Sequence, residues 1–300
     1  ALADAVERLV GGAAEVTVSD ESVLEAEGFG ALLAVGRGSA SPPRLVELRY
    51  RPEAALGHVV LLGKGVTFDS GGLSLKRGDD MRDMKSDMAG AAAVAAVFGV
   101  LADLDVHLEV TGLLPLAENM PGADAQRPGD VVRCRGGTTV EVVDTDAEGS
   151  LVLADTLRLA AGWSPDAIVD LATLTGSAVA AVGHYAAAVM GTDEELVRSL
   201  RQAADVAGER LWPLPLWAEF EDHQRSPVAD LRNVGDDEAG GGAIAGGVFL
   251  RHFAGDSPWA HLDIAGPAFL PEKLATPTLP AGGTGFGVRT LLAWLERRAE

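Results

Sequence analysis

The stretch Asp144–Ser150 reads Asp-Thr-Asp-Ala-Glu-Gly-Ser and joins a strand-like segment to a run of residues with a helical pattern. If this stretch is extended, its period of two places the carboxylates of Asp144, Asp146 and Glu148 on one face. Like charges this close raise one another's pKa unless a cation neutralises them. Ligand sites are often built where a strand meets a helix. A solvated acidic turn that caps the helix is the simpler explanation of this motif alone, so a second cluster is needed to decide.

A second set of polar residues lies upstream, after an apolar run. His58–Gly63 has the pattern of a buried central strand and leads into a glycine-rich loop that contains Lys64, Asp69 and Lys76. The glycines indicate a loop whose backbone approaches another group closely. The segment has no GxxxxGK(S/T) motif, which argues against a phosphate-binding loop.

Asp87 precedes an apolar, alanine-rich segment, residues 88–104, which predicts a buried helix. The helix dipole favours an anion in its first turn, and simple N-terminal capping is the alternative role for Asp87.

Strands and helices alternate along the rest of the chain. Further predicted strands are 44–50, 106–115, 166–171, 186–191 and 259–265, and a hairpin turns at Gly136-Gly137. Predicted helices include 149–161, 194–207, 215–223 and 240–252. This alternation predicts an α/β fold, a three-layer α/β/α arrangement with a twisted, mostly parallel mixed central sheet. We expect residues 1–300 to form one domain, with residues 1–29 as a helix and linker that lead into it.

Composition narrows the class of protein. The 300 residues are 47% hydrophobic and 23% charged, as in ordinary soluble globular proteins. A formal net charge of −20 argues against nucleic-acid and anionic-membrane partners. Cys134 is the single cysteine, which excludes an internal disulfide and fits a cytoplasmic location. No apolar run in the sequence approaches the roughly 20 residues of a membrane span.

The two clusters together suggest a metal centre. The polar residues at the ends of apolar strands or the starts of apolar helices are Lys64, Asp69, Lys76, Asp87, Asp146 and Glu148. Carboxylates suit Mg²⁺ or Mn²⁺, and Zn²⁺ accepts them too. A lysine ligates a metal only as the neutral amine, which an adjacent dication favours. Converging carboxylates can bridge two metals, and a free ammonium at Lys76 could stabilise an oxyanion, the equipment of a metallohydrolase that acts on an amide.

These residues carry a resemblance to the leucyl aminopeptidase family, the M17 metallopeptidases. The matching motifs, in the family's order, are Gly63–Gly72, Lys76, Ser86–Met88, Asp144–Gly149, Ala172–Gly176 and Trp259–Gly266. The resemblance runs from about Gly30 to the C-terminus and covers the family's catalytic domain. We expect the family's usual N-terminal domain to be absent.

The resemblance implies two divalent ions, zinc or manganese with magnesium as a further option. Their ligands would be Lys64, Asp69, Asp87, Asp146 and Glu148, with Asp69 and Glu148 bridging. Lys76 would polarise the scissile carbonyl, the substrate α-amine would bind near Asp87, and the Leu174 backbone would orient the peptide. The pocket for the first side chain would be lined by Met84, Thr173, Gly176, Ala265 and Ala268. Short peptides or aminoacyl amides would be substrates, and the protein would form a cytoplasmic homo-hexamer.

Two positions depart from the family motif, Asn-Thr-Asp-Ala-Glu-Gly-Arg. Asp144 replaces the asparagine and Ser150 replaces the arginine, which in the family holds a bicarbonate ion thought to act as the general base. A serine has no charge and cannot form a bidentate clamp, so we expect any bicarbonate to be lost or weakly held. Another base would then serve. Asp144 acting through water is one candidate, and a turn or cap residue is its alternative role.

Four functions remain open at this point. The leading one is a two-metal aminopeptidase, and the next is a related metal-dependent amide hydrolase or acyl-transfer enzyme with an altered substrate. A third is a low-activity or inactive relative kept as a binding subunit. Against it, clustered carboxylates that bind no cation would cost free energy of folding. A Mg²⁺-dependent phosphotransferase is the weakest.

Overall fold

The computed structural model describes residues 1–104 and 106–299, with the backbone alone at Asp237. The helices are α1 Leu2–Val10, α2 Glu21–Ala26, α3 Gly30–Gly36, α4 Gly78–Met81, α5 Ala89–Phe98, α6 Glu148–Ala161, α7 Gly176–Val182, α8 Glu194–Ala207, α9 Glu219–Asp222, α10 Gly242–Arg251 and α11 Val288–Arg298. The strands are β1 Glu15–Ser19, β2 Arg44–Tyr50, β3 His58–Gly63, β4 Gly65–Asp69, β5 Glu109–Asn119, β6 Val131–Arg133, β7 Thr139–Glu141, β8 Ala167–Ala172, β9 Ala187–Gly191, β10 Leu211–Pro213, β11 Leu231–Arg232, β12 Trp259–Asp263, β13 Phe269–Leu270 and β14 Gly282–Gly283.

The main sheet is mixed and mostly parallel, as predicted. Its strand order is β1-β2-β5-β3-β8-β12-β9-β10, and β4 pairs with β5. The pairs of β3 with β5, β3 with β8 and β12 with β8 are parallel, so the centre of the sheet runs in one direction. Parallel strands buried on both faces read as continuous apolar runs, and β8 is buried at each of its positions.

Helices cover both faces of this sheet, which confirms the predicted three-layer α/β/α arrangement. One core contains Val6 of α1, Phe98 of α5 and Trp294 of α11. The other contains Leu32 of α3 and Leu151 of α6. Each such fully buried apolar side chain contributes about 1.5–3 kcal/mol through its removal from water.

Helix α5 crosses β3 and β8 with backbone against backbone. A Cβ at Gly90 would lie 2.1 Å from the Leu171 carbonyl oxygen, and a Cβ at Gly63 would lie 2.5 Å from the Gly90 carbonyl oxygen. Only glycine allows this approach. The first turn of α5 is therefore held directly over the carboxyl end of β3.

Four local predictions differ from the structure. The strand predicted over 106–115 spans Glu109–Asn119 as β5. Residues 1–29 are more than a linker, because Glu15–Ser19 forms β1 and pairs antiparallel with β2. The helix predicted over residues 88–104 ends at Phe98, and Leu101–Asp103 is a separate 3₁₀ turn. Of the helix predicted over 215–223, Glu219–Asp222 alone is helical.

Gly78–Asp103 has the length and apolar composition of a membrane span, and half of its apolar window is buried inside the protein. In the structure α4, a 3₁₀ turn at Met84–Ser86 and α5 divide this segment. Val94, Val97 and Phe98 pack in the core against the sheet. We therefore interpret the segment as containing a core helix.

Candidate metal centre

The carboxyl ends of neighbouring strands meet at one edge of the main sheet. Lys64 directly follows β3, Thr173 directly follows β8, and Asp69 is the last residue of β4. Asp87 lies just before α5, and Glu148 is the first residue of α6. Ligands of open α/β sheets bind at this edge, beyond the carboxyl ends of the strands.

The buried Lys64 ammonium connects two carboxylates. Its Nζ lies 2.9 Å from Asp87 Oδ2 and 2.7 Å from Glu148 Oε1. It also donates to the Thr173 carbonyl oxygen at 3.0 Å, and the Thr173 hydroxyl donates to Asp87 Oδ1 at 2.7 Å. Burial opposes the charge of Lys64, but the carboxylates of Asp87 and Glu148 outweigh burial and raise its pKa.

The Lys76 ammonium connects the other two carboxylates. Its Nζ lies 2.8 Å from Asp69 Oδ2 and 2.6 Å from Asp146 Oδ1. Asn119 Nδ2 donates to Asp69 Oδ1 at 2.8 Å and fixes that carboxylate from the other side. Burial again opposes the charge, and the pKa of Lys76 is nevertheless raised by Asp69 and Asp146.

The carboxylates have the arrangement and the unmet charge of a cation site. One oxygen each from Asp69, Asp146 and Glu148 lie within 4.8 Å of one another. Among the described residues, buried Glu148 Oε2 has no hydrogen-bond partner, and Asp87 Oδ2 and Asp146 Oδ1 each form an ion pair with a lysine ammonium. Burial raises the pKa of Asp87 and Glu148, and that of Asp146 to about 6. A divalent cation would offset this cost, and the oxygen-rich donor set fits Mn²⁺, Mg²⁺ or Zn²⁺.

The structure therefore brings the predicted ligands together, and Asp144 lines the same cavity as these residues. Asp144 Oδ1 also accepts a hydrogen bond from the Asp146 backbone N–H at 2.8 Å, which stabilises the turn between them. Residues 144–148 are not extended, because residues 145–146 form a turn and Glu148 opens α6. A polar side chain that bonds its own backbone stabilises a turn in place of a strand.

A cavity of about 590 Å³ opens onto this cluster and also contacts Lys76. The predicted substrate-pocket residues that line it are Met84, Thr173, Leu174, Gly176 and Ala265. Ala268 instead lines an adjacent, mostly apolar cavity of about 550 Å³. Phe269 lines both cavities, so Ala268 is a neighbour of the predicted pocket and not part of its wall.

Ser150 lies in the first turn of α6 and is 5% exposed. It lines a further cavity of about 390 Å³ that shares Asp146 and Leu174 with the cavity at the metal cluster. Among the described residues that line this cavity there is no lysine or arginine, whereas Asp146 and Asp236 contribute acidic groups. The described lining of this cavity therefore supplies no guanidinium or ammonium group in place of the family's arginine.

Sequence analysis did not identify two polar residues that support the cluster. Asn119 is the last residue of β5 and binds Asp69, and Asp263 is the last residue of β12 and binds the backbone of Leu174. Both stand at the carboxyl edge of the sheet. A search for polar residues at strand ends would have found Asn119 if the strand predicted to end at residue 115 had been extended by four residues.

Comparison with known proteins agrees with this geometry. The model of the cytosol aminopeptidase family, catalytic domain, matches residues 1–292. The probable cytosol aminopeptidase of Geobacter sp. (strain M21) is 50% identical over 287 residues, which are 95% of this chain and 58% of that protein. That of Leifsonia xyli subsp. xyli (strain CTCB07) is 53% identical over 281 residues, which are 91% of this chain and 55% of that protein. The chain thus spans little more than half the length of these relatives.

A solved structure of the bottromycin maturation enzyme BotP in complex with Mn has a TM-score of 0.93 and 46% sequence identity. The alignment covers 100% of this chain and 66% of that one. The family match begins at residue 1, earlier than the resemblance seen from about Gly30. Because the family model matches residues 1–292 of the 300, the chain belongs to the cytosol aminopeptidase family, the M17 family that its motifs predict.

Proposed function

We propose that this chain is the catalytic domain of a two-metal aminopeptidase that removes N-terminal residues from short peptides. The observation that carries the proposal is the convergence of Asp69, Asp146 and Glu148 within 4.8 Å, beside a cavity of about 590 Å³. The family uses two divalent metal ions, and the BotP structure contains Mn. Lys64 and Asp87 complete the set of residues that would hold the ions.

The protein's own groups have separable tasks in this proposal. When bound, the ions would supply Lewis-acid polarisation of the scissile carbonyl and an acidified water. Lys76, held protonated by Asp69 and Asp146, would donate a hydrogen bond to the carbonyl oxygen as negative charge develops on it. Asp87 would lie near the substrate's free α-amine. The Leu174 backbone would orient the peptide along the cavity wall.

The pocket for the first side chain would be formed by Met84, Thr173, Gly176 and Ala265, which all line the cavity. Its small residues suit an apolar side chain. Ala268 lines the neighbouring apolar cavity, which shares Phe269 with this one.

A second candidate is an amide hydrolase with a specialised peptide substrate. Two observations favour this second candidate. Ser150 departs from the family motif, and the structurally similar protein BotP is named as a bottromycin maturation enzyme. Such an enzyme would keep the metal centre and differ in the peptide that it accepts.

The test is hydrolysis of aminoacyl amides by the purified chain. Leucine, methionine and phenylalanine 7-amido-4-methylcoumarins would be compared with their N-acetylated forms, with Mn²⁺ or Zn²⁺ and after chelation. We expect metal-dependent release from the free-amine substrates alone. Release from acetylated substrates would contradict an exopeptidase, and hydrolysis confined to long or modified peptides would favour the second candidate. Metal bound without any turnover would favour an inactive relative.

The proposal also includes a cytoplasmic location, in line with the names of the curated relatives. Assembly into a homo-hexamer is a further part of it and follows from the family resemblance. Sedimentation velocity of the purified chain would test this assembly.

A further inference from the structure

Asp263 ends β12 beneath the loop that follows β8, and it is 1% exposed. Its Oδ1 accepts hydrogen bonds from the backbone N–H groups of Leu174 at 3.2 Å, Thr175 at 3.5 Å and Ala265 at 3.2 Å. Its Oδ2 accepts from the Thr175 hydroxyl at 2.7 Å. One buried carboxylate thus holds two loops, the one after β8 and the one after β12.

The loop after β8 connects this carboxylate to the metal cluster. Thr173, adjacent to Leu174 in the chain, accepts from Lys64 Nζ through its carbonyl at 3.0 Å. Its hydroxyl donates to Asp87 Oδ1 at 2.7 Å. The position of residues 173–175 therefore determines where the Thr173 carbonyl meets Lys64 and where the Thr173 hydroxyl meets Asp87. Such outer contacts orient the ligands of a metal site.

We propose that Asp263 is a positioning residue of the metal centre. It sets the backbone of residues 173–175, so that Thr173 presents its carbonyl to Lys64 and its hydroxyl to Asp87. It acts through Thr173 and touches neither ion nor substrate. The inference rests on the proposed function for the presence of the ions.

The chain offers a matched control at Asp155. This buried carboxylate also accepts hydrogen bonds from three backbone N–H groups, those of Ala31, Leu32 and Arg135. These partners lie in α3 and after β6, away from the loops that line the cavity. Asp263→Ala and Asp155→Ala therefore each remove three hydrogen bonds from backbone donors, and only the first removes them next to Thr173.

The experiment is calorimetric titration of the metal-free full chain with Mn²⁺, with thermal unfolding of each variant. We expect Asp263→Ala to weaken Mn²⁺ binding about 10- to 100-fold, while Asp155→Ala keeps it within about twofold of wild type. Both variants should unfold at lower temperature. Wild-type Mn²⁺ affinity in Asp263→Ala would overturn the proposal, because Asp263 would then have no effect on the metal centre. An equal loss of affinity in both variants would also overturn it, because the loss would then reflect lower stability alone.

If Asp263→Ala does not fold, the pair Thr175→Val and Thr175→Ser decides. The valine removes the hydroxyl that donates to Asp263 Oδ2, and the serine keeps it. Weaker Mn²⁺ binding in Thr175→Val than in Thr175→Ser supports the proposal, and equal binding overturns it. The titration needs no turnover, so a wild-type chain that binds Mn²⁺ but hydrolyses no peptide would refute the proposed function alone.

Discussion

Replacing Asp155 by alanine should destabilise the whole domain, because this carboxylate joins α6 to the start of α3. Its Oδ2 accepts from Ala31 N at 2.9 Å and Leu32 N at 3.0 Å, and its Oδ1 accepts from Arg135 N at 2.7 Å. Ala31 and Leu32 are each 0% exposed, so bulk solvent does not reach these two donors in the wild type. At about 1–3 kcal/mol for each of these two N–H groups, Asp155→Ala should lower the free energy of unfolding by roughly 2–6 kcal/mol.

The loss should depend on pH in a direction that the structure specifies. Burial raises the pKa of Asp155 from 3.8 to about 6, although three backbone N–H groups oppose this. Between these values the native carboxyl holds a proton that the unfolded chain releases, so the group adds stability as pH falls through 6. This gain reaches at most roughly 3 kcal/mol near pH 4. The difference in stability between wild type and Asp155→Ala should therefore widen as the pH is lowered.

Urea unfolding of both proteins at several pH values measures this difference, and groups common to both cancel. Thr156→Val is the control, since the buried Thr156 hydroxyl donates to the Val152 carbonyl within the same helix. It should cost about 1 kcal/mol or less, without a pH trend. A loss in Asp155→Ala no larger than that of the control, or a difference that narrows on acidification, would refute the reasoning.

Three further outcomes are expected. Ser150→Arg should raise peptidase turnover when bicarbonate is supplied, measured as kcat on a leucine amide, and no gain over wild type would contradict the loss of the bicarbonate base. Gly90→Ala should lower the melting temperature although alanine favours helices, because its Cβ would lie 2.1 Å from the Leu171 carbonyl oxygen, whereas Gly78→Ala meets nothing within 4 Å and should not. Mn²⁺ at about 100 times its Kd should stabilise the wild type by about 2.7 kcal/mol, and Glu148→Gln should largely abolish this shift; an equal shift in both would remove Glu148 from the site.

The strand-to-helix alternation and the polar residues at the ends of apolar segments were sufficient to predict the layers of the fold. They also predicted the cluster of polar residues, because Lys64, Asp69 and Asp87 carry charge in otherwise apolar surroundings. The division of this cluster into metal ligands and Lys76 came from the family resemblance. Strand β1 was missed since Glu15–Ser19 is mostly exposed and carries little hydrophobic signal. The role of Asp263 could not be predicted, because its partners are mainly backbone N–H groups and no side-chain pattern encodes them.

The parallel centre of the sheet has a consequence for folding. Lys64, Glu148 and Thr173 come from three separate strand and helix units. The candidate metal centre therefore requires contacts between residues about a hundred positions apart. Contacts of this range form late, after the entropy of closing long loops has been overcome. A nascent chain that has not yet produced β8 lacks the Thr173 anchor for Lys64, and tight capture of metal would therefore report that β8 has joined the sheet.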